Sequence, residues 1–359
     1  MLDTRGASHY GHGGSRSLEE ASRAPAKDAI HTLITSNGAP YMNYQTRILM
    51  GTYELIRQMP GGEKHVGLTR ILHRSKPDIL MNAIETFHAT PLQPECDGWC
   101  EYPVSDRANA VRQFFDAAET NKSMIRADWI YMAETDYVFM KPLALPRELK
   151  PGYDGWAYPF NYINAQANKR FMEKLLPGVD VALIPNSGPA PVLMRRADWV
   201  KVVPFWEDLT AKMEEDKEMT KALGWVREMY DFSLALVAAG LKLELDTEKT
   251  SPFIAHLPGV SNMGEAHAFH YTLCTIYKTM NGSDVWAFDK RFYADPRHPI
   301  DMPKVPPMPE FEAGKFKFIE GPPVTKEKHE LIKQMTDQIN RAIDTLSPLP
   351  QAWIDAVEA

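Results

Sequence analysis

Glu134 and Asp136 stand two residues apart in the segment Glu134-Thr135-Asp136, directly after the apolar run 129–133. In a turn at the end of a strand, two such carboxylates can converge on a divalent cation, which in turn neutralises a diphosphate. The pattern alone carries little weight. With 47 acidic residues in a chain of 359, about six such pairs arise by chance, so its location gives it value and a solvated turn is the competing reading. His270, between Phe269 and Tyr271, is a candidate third ligand, because neutral imidazole suits manganese while carboxylates supply hard oxygens. A lone histidine beside aromatics is also an ordinary structural residue.

The other candidates are carboxylates, cations and amides. On the helical pattern that begins near Thr220, the residues Trp225, Met229, Phe232 and Leu236 form an apolar stripe. At about 100° per residue, Glu228 falls at the boundary of that stripe and Asp231 on its wet side. Both are candidate catalytic carboxylates. A boundary glutamate can line a cleft as base, nucleophile or partner of a sugar hydroxyl, or can be a plain edge carboxylate. Arg70, Arg107, Lys290 and Arg291 are the cations to place near a diphosphate, since a net-acidic chain needs deliberate positive groups to hold one. Asn186 and Ser187, in the turn 185–189, offer donors and acceptors suited to sugar hydroxyls, or merely punctuate the chain.

These residues must be positioned by alternating strands and helices. A short buried strand is expected over 30–34, then a turn at 36–38 and a helix opening at Pro40, broken by Pro60-Gly61-Gly62. Strands are expected over 65–72, 86–89, 129–133, 191–194 and 241–246. Helices are expected over 105–119, capped by Ser105 or Asp106, from about 199 with Asp198 as cap, and over 220–239 with Gly240 as the stop. This order predicts an α/β fold with a mostly parallel sheet covered on both faces, its ligands collecting beyond the carboxyl ends of the strands. After Pro296 come Pro299, Pro303, Pro306, Pro307 and Pro309 and then an amphipathic helix through Leu331, Ile332, Met335, Ile339 and Ile343, read as an arm packed across the main domain. Residues 1–27, nearly devoid of large apolar side chains, read as a flexible stem or leader, which leaves 28–300 as the catalytic domain and 301–359 as the arm.

Composition narrows the classes. The net charge of −7 has the wrong sign for a surface that grips nucleic acid. No stretch approaches about 18 uncharged apolar residues, so no transmembrane helix is expected. The 28 prolines, with aromatics at 10 %, point to defined turns rather than disorder. Three cysteines are too few for a disulfide framework; Cys96 and Cys100 flank Asp97-Gly98-Trp99 and either close a small loop or stand unpaired. Asn121-Lys122-Ser123 and Asn281-Gly282-Ser283 fit the N-glycosylation pattern. Local signatures of P-loop NTPases, Rossmann dehydrogenases, zincins and α/β-hydrolases are absent from the sequence.

Taken in order, the blocks ITSNGAPYMNYQTRIL (34–49), GLTRILH (67–73), YMAETDYVFMKPL (131–143), NSGPAPVLM (186–194), ALGWVREMYDF (222–232), FHYT (269–272) and FDKR (288–291) resemble the plant and algal hydroxyproline O-arabinosyltransferase family. That resemblance implies a GT-A-like nucleotide-sugar-binding fold. It implies a Golgi-lumenal enzyme that moves L-arabinofuranose from UDP-β-L-arabinofuranose to the 4-hydroxyl of hydroxyproline in wall glycoproteins, with retention of configuration. Such an enzyme is held to the membrane through an anchor outside these residues. By position, Glu134 and Asp136 match the family's acidic metal motif, with Thr135 where land-plant members usually carry proline. His270 matches the histidine of its H-Y-T segment, Glu228 the glutamate of its G-W-V-x-E-M-Y block, and Asn186-Ser187 its N-S-P segment, which Gly188 interrupts here.

The implied arrangement has Mn²⁺ on Asp136, Glu134 and His270 bridging the two phosphates of UDP, Thr35 and Arg70 framing the uridine, and Lys290 and Arg107 near the diphosphate. Retention is reached either through a glycosyl-enzyme, with Glu228 as nucleophile, or by attack of the acceptor on the face the phosphate leaves. A related transferase with another donor, such as UDP-galactose acting on serine or hydroxyproline, would share these features, although E-T-D in place of D-x-D favours arabinose. A non-catalytic carbohydrate- or polyproline-binding module, with the eight tryptophans and many tyrosines as stacking platforms, would bind without releasing UDP.

Overall fold

A computed structural model describes residues 27–247 and 249–358. The stem expected over 1–27 therefore lies, apart from Lys27, outside the described residues. The chain opens with β1 (Ile30–Ser36), α1 (Pro40–Arg57), β2 (His65–His73), β3 (Thr86–Ala89), α2 (Asp106–Thr120) and β4 (Trp129–Ala133). It continues through β5 (Tyr137–Phe139), β6 (Gly155–Ala157), α3 (Lys169–Leu175), β7 (Val192–Arg195), α4 (Arg196–Glu215), α5 (Lys217–Leu223) and α6 (Arg227–Ala238). The last part holds β8 (Leu243–Leu245), β9 (Ile254–His256), β10 (Ala268–His270), β11 (Cys274–Thr279), β12 (Asp284–Asp289), α7 (His298–Asp301), β13 (Phe316–Phe318), α8 (Lys326–Thr345) and α9 (Gln351–Glu358).

The fold is mixed α/β. Seven strands form the central sheet in the order β3-β2-β1-β4-β7-β6-β8. The first four run parallel, β7 is antiparallel to both its neighbours, and β6 is parallel to β8. All seven residues of β1 are buried, as expected where helices cover both faces of a parallel sheet. Its one histidine is accommodated rather than exposed: His31 Nε2 bonds the Thr69 hydroxyl at 2.9 Å and Nδ1 accepts from the Arg126 N–H at 3.0 Å. Gly67 makes that possible, because a Cβ there would come within 2.9 Å of the imidazole.

A second core lies beside the first. It gathers Tyr44 and Ile48 of α1, the small sheets β5-β10-β9 and β12-β11-β13, and Leu331, Ile332, Met335 and Ile339 of α8. The region past residue 300 thus supplies both a strand, β13 against β11, and the helix laid on α1.

Two local expectations are corrected. The helix expected over 220–239 is interrupted by a turn of tighter helix at 224–226, where Gly224 takes φ +59°; Trp225 on that turn is 63 % exposed and forms no core stripe. The helix expected from Trp199 begins earlier, at Arg196, so Asp198 lies inside its first turn, paired with Lys201, and is not its cap. Among the described residues no helix is long and apolar enough to cross a membrane.

Candidate active site

A cleft of about 270 Å³ opens beyond the carboxyl ends of β1 and β4, where parallel α/β sheets place their ligands. Thr35, the sixth residue of β1, forms part of its wall. The turn that ends β4 carries Glu134, Thr135 and Asp136 into it. Strand β5 then pairs antiparallel with β10, with Tyr137 opposite His270, so the register itself seats His270 beside Asp136. Lys290, first residue after β12, arrives from the third sheet.

These three side chains meet. Asp136 Oδ2 accepts from Lys290 Nζ at 2.8 Å and lies 3.3 Å from His270 Nε2. Burial pushes the Asp136 carboxyl up, but Lys290 and His270 more than reverse this and hold it far below the usual carboxylate range. Burial likewise opposes the charge on Lys290, and Asp136 overrides it, raising the ammonium above its ordinary value. The result is a buried, fully charged pair with an imidazole alongside.

The opposite wall is built by two helix starts. Arg107, in the first turn of α2, donates to both carboxylate oxygens of Glu134 at 2.9 and 2.8 Å and reaches Glu228 Oε1, in the first turn of α6, at 3.4 Å. Tyr102 fastens these ends together: its hydroxyl donates to the Trp225 carbonyl at 2.9 Å and accepts from the Glu228 N–H at 3.3 Å, while the Arg227 guanidinium sits 3.3 Å over its ring. Burial pushes the Glu228 carboxyl up to about 7, against the pull of Arg107 and with some help from Glu134.

Glu134, Asp136, His270, Thr35, Arg107, Lys290 and Glu228 therefore line one cleft, as the sequence reading requires. Five other candidates do not. Arg70 is fully buried and bound to both oxygens of Asp78 at 2.7 and 2.8 Å, so it is an internal strut and frames no uridine. Asn186 and Ser187 lie off the cleft: the Asn186 backbone carbonyl accepts from the Phe160 N–H at 2.7 Å and the buried Ser187 hydroxyl donates to the Tyr158 carbonyl at 2.9 Å, and it is Pro189 and the following Ala190 that line the wall. Asp231, expected on the wet side of its helix, is completely buried, with neither carboxylate oxygen hydrogen-bonded, and burial, Glu228 and Glu214 raise its carboxyl well above the ordinary value. Arg291 is spent on Asp289.

The donor set suits a divalent cation in part. Asp136 and His270 present a carboxylate and an imidazole side by side, the mixed oxygen and nitrogen set that manganese accepts. Glu134 faces Arg107 instead, and among the described residues no cluster of three such ligands is gathered.

The cleft also holds residues that the sequence reading passed over: Tyr41 and Gln45 of α1, Tyr162, Trp225 and Thr272. Thr272 carried a signal only in the resemblance, as the end of FHYT. It takes φ +51°, rare for a β-branched residue, with its hydroxyl 2.6 Å from His256 Nε2.

Solved structures resemble this fold only loosely. A glycosyltransferase involved in glycosylation of the major capsid of PBCV-1 aligns with TM-score 0.37 and 10 % identity, over 74 % of this chain and 98 % of that one. The galactosyltransferase LgtC aligns with TM-score 0.34 and 10 % identity, over 67 % and 87 %. Sequence relatives are nearer. Hydroxyproline O-arabinosyltransferase RDN2 of Medicago truncatula is 32 % identical over 302 residues, 82 % of this chain and 80 % of the relative. NOD3 of Pisum sativum is 33 % identical over 292 residues, 78 % and 82 %, and hydroxyproline O-arabinosyltransferase 1 of Arabidopsis thaliana is 31 % identical over 286, 77 % and 74 %. Residues 30–245, which hold both walls of the cleft except His270, Thr272 and Lys290, match the N-terminal domain of the hydroxyproline O-arabinosyltransferase family. On these matches, the chain belongs to the hydroxyproline O-arabinosyltransferase family.

Proposed function

We propose that the protein is a metal-dependent, retaining glycosyltransferase that moves β-L-arabinofuranose from UDP-β-L-arabinofuranose to the 4-hydroxyl of peptidyl hydroxyproline, working in the Golgi lumen. Family membership supports the reaction class. The observation that carries the site is Asp136 meeting both Lys290 and His270 inside the cleft at the carboxyl end of β4.

Asp136 and His270 would hold Mn²⁺. Bound there, the cation would supply a Lewis acid for the charge that develops on the UDP leaving group. Lys290 adds a donor to the same diphosphate as its contact with Asp136 is shared. Thr35 lies at the strand end where the nucleotide enters. Across the cleft, Arg107 holds Glu134 in place and keeps Glu228 within reach of a positive charge.

Transfer breaks the bond between the anomeric carbon and the β-phosphate oxygen, the electron pair leaving with UDP. The hydroxyproline oxygen forms the new bond and gives up its proton. Glu228 serves retention as the nucleophile of a glycosyl-enzyme, whose ester bond to the anomeric carbon breaks as the hydroxyproline oxygen attacks and passes its proton to the UDP phosphate; in the same-face route its carboxylate orients the sugar while the departing phosphate takes the proton.

Incubating the protein with a hydroxyproline peptide, Mn²⁺ and separate UDP-sugars, with and without a chelator, tests the reading by peptide mass. A pentose increment from UDP-arabinofuranose that chelation abolishes is expected. A hexose increment from UDP-galactose would replace the donor, and no increment from any sugar would refute catalysis.

A further inference from the structure

Beside the cleft lies a larger cavity, about 690 Å³, that the transfer mechanism does not use. The two share Asn37, Tyr41, Pro103 and Trp225 as a common wall. We propose that this second cavity is the acceptor groove, and that it takes an extended polyproline II stretch whose prolyl rings stack on Trp99 and Trp225. The proposal rests on the neighbouring cleft being the donor site.

Two large aromatics stand open to solvent at this cavity, Trp99 at 80 % and Trp225 at 63 %. The Trp225 ring is held from behind and the loop that carries Trp99 is tied down, which lowers the entropic cost of stacking on them. Trp99 sits in the five-residue ring closed by the Cys96–Cys100 disulfide. That ring is tied down by the Asp97 carboxylate, which accepts from the Ser75 N–H at 3.1 and 3.2 Å, and by the Trp99 N–H, which donates to the Glu95 carbonyl at 3.1 Å. Trp225 is held edge-on to Tyr102, ring centres 5.2 Å apart, by the same tyrosine that bonds the Glu228 N–H. A prolyl ring on Trp225 is thus three residues along the chain from Glu228.

The chemistry of the groove matches that of polyproline. A run of prolines and hydroxyprolines has no backbone N–H and presents only carbonyl acceptors and ring faces. Its binding sites elsewhere are aromatic-lined grooves with donors for those carbonyls. Neither the Trp99 nor the Trp225 indole N–H has a partner among the described residues, so each ring brings a donor with it. Of the charged groups that line it, Asp78 is paired with Arg70, Arg74 donates to the Gly38 carbonyl at 3.2 Å, Asp97 accepts from the Ser75 N–H, and Glu101 is exposed. An uncharged chain meets no unpaired buried charge there.

The test follows a dye-labelled peptide of alternating proline and hydroxyproline by fluorescence anisotropy, against a Gly-Ser peptide of equal length, with the full chain alone and with saturating UDP. The prolyl peptide is expected to bind in preference to the Gly-Ser peptide. Trp99→Ala is expected to weaken it about tenfold or more, as loss of an aromatic anchor does, while UDP affinity stays unchanged because Trp99 lines only the second cavity. Trp225→Ala is expected to weaken the peptide similarly. Unchanged peptide affinity in Trp99→Ala, equal binding of the two peptides, or no binding with or without UDP would overturn the proposal. Failure of the wild-type chain to bind UDP would instead overturn the donor reading, since peptide binding is read without nucleotide.

Discussion

Glu228 is kept where burial opposes its charge and Arg107, at 3.4 Å, supports it. Its carboxyl is pushed from 4.5 to about 7. The native chain therefore holds this proton to a higher pH than the unfolded chain does, so its contribution to stability falls as pH rises from about 4.5 to 7 and is fully lost above that. Glu228→Gln is expected to unfold at the wild-type temperature near pH 4.5 and to be more stable by roughly 3 kcal/mol at pH 8, read by calorimetry. Its transfer rate is expected to fall by about 10²–10⁴; a near-normal rate would remove Glu228 from the reaction. Asp231→Asn, at a carboxylate buried without a hydrogen bond, is expected to gain stability at pH 8 with transfer retained. The two residues separate what the sequence made legible from what it hid. A helical wheel assumes one covered face, and on that assumption Glu228 lines a boundary and Asp231 faces water. Packing of α4 against α6 brings Glu214 near Asp231 and covers the second face, which no periodicity in α6 announces.

At the scale of elements, strands and helices long enough to carry their own period were legible. The strand over 129–133 falls on its expected residues, and Pro40 opens α1 as expected. The helix over 220–239 was not, because the break at Gly224 depends on a left-handed φ rather than on any change of pattern. Arg70 shows the same limit: a cation on a strand reads alike whether it meets a ligand or an aspartate eight residues on. Because Arg70 and Asp78 are both buried and doubly bonded, Arg70→Met is expected to cost about 3–5 kcal/mol by leaving the carboxylate unpaired, read by urea denaturation. UDP affinity of the folded fraction is expected to stay the same; a selective loss of UDP binding without destabilisation would restore Arg70 to the nucleotide site.

For the molecule as a whole, the arm is structural. Its helix α8 lies so close on α1 that a Cβ at Gly51 would stand 3.0 Å from the Ala342 Cβ and 3.1 Å from its carbonyl oxygen. Gln338 Nε2 donates to the Phe139 carbonyl at 2.9 Å, and Arg47 donates to the Ser347 carbonyl at 2.6 Å. Gly51→Val is expected to cost about 1–3 kcal/mol by overpacking this contact, lowering the melting temperature; a variant as stable as wild type would mean that α8 is free to shift. Since the same core contains β10, which seats His270, loosening α8 is also expected to lower transfer. In the proposed reaction the leaving diphosphate is handled at Asp136, flanked by Lys290 and His270. The direct measurement is the mass of a hydroxyproline peptide after incubation with UDP-L-arabinofuranose and Mn²⁺, with wild-type protein and Asp136→Asn side by side at equal folded concentration. A pentose increment with wild type and none with the variant is expected, whereas wild-type conversion by Asp136→Asn would remove Asp136 from the reaction.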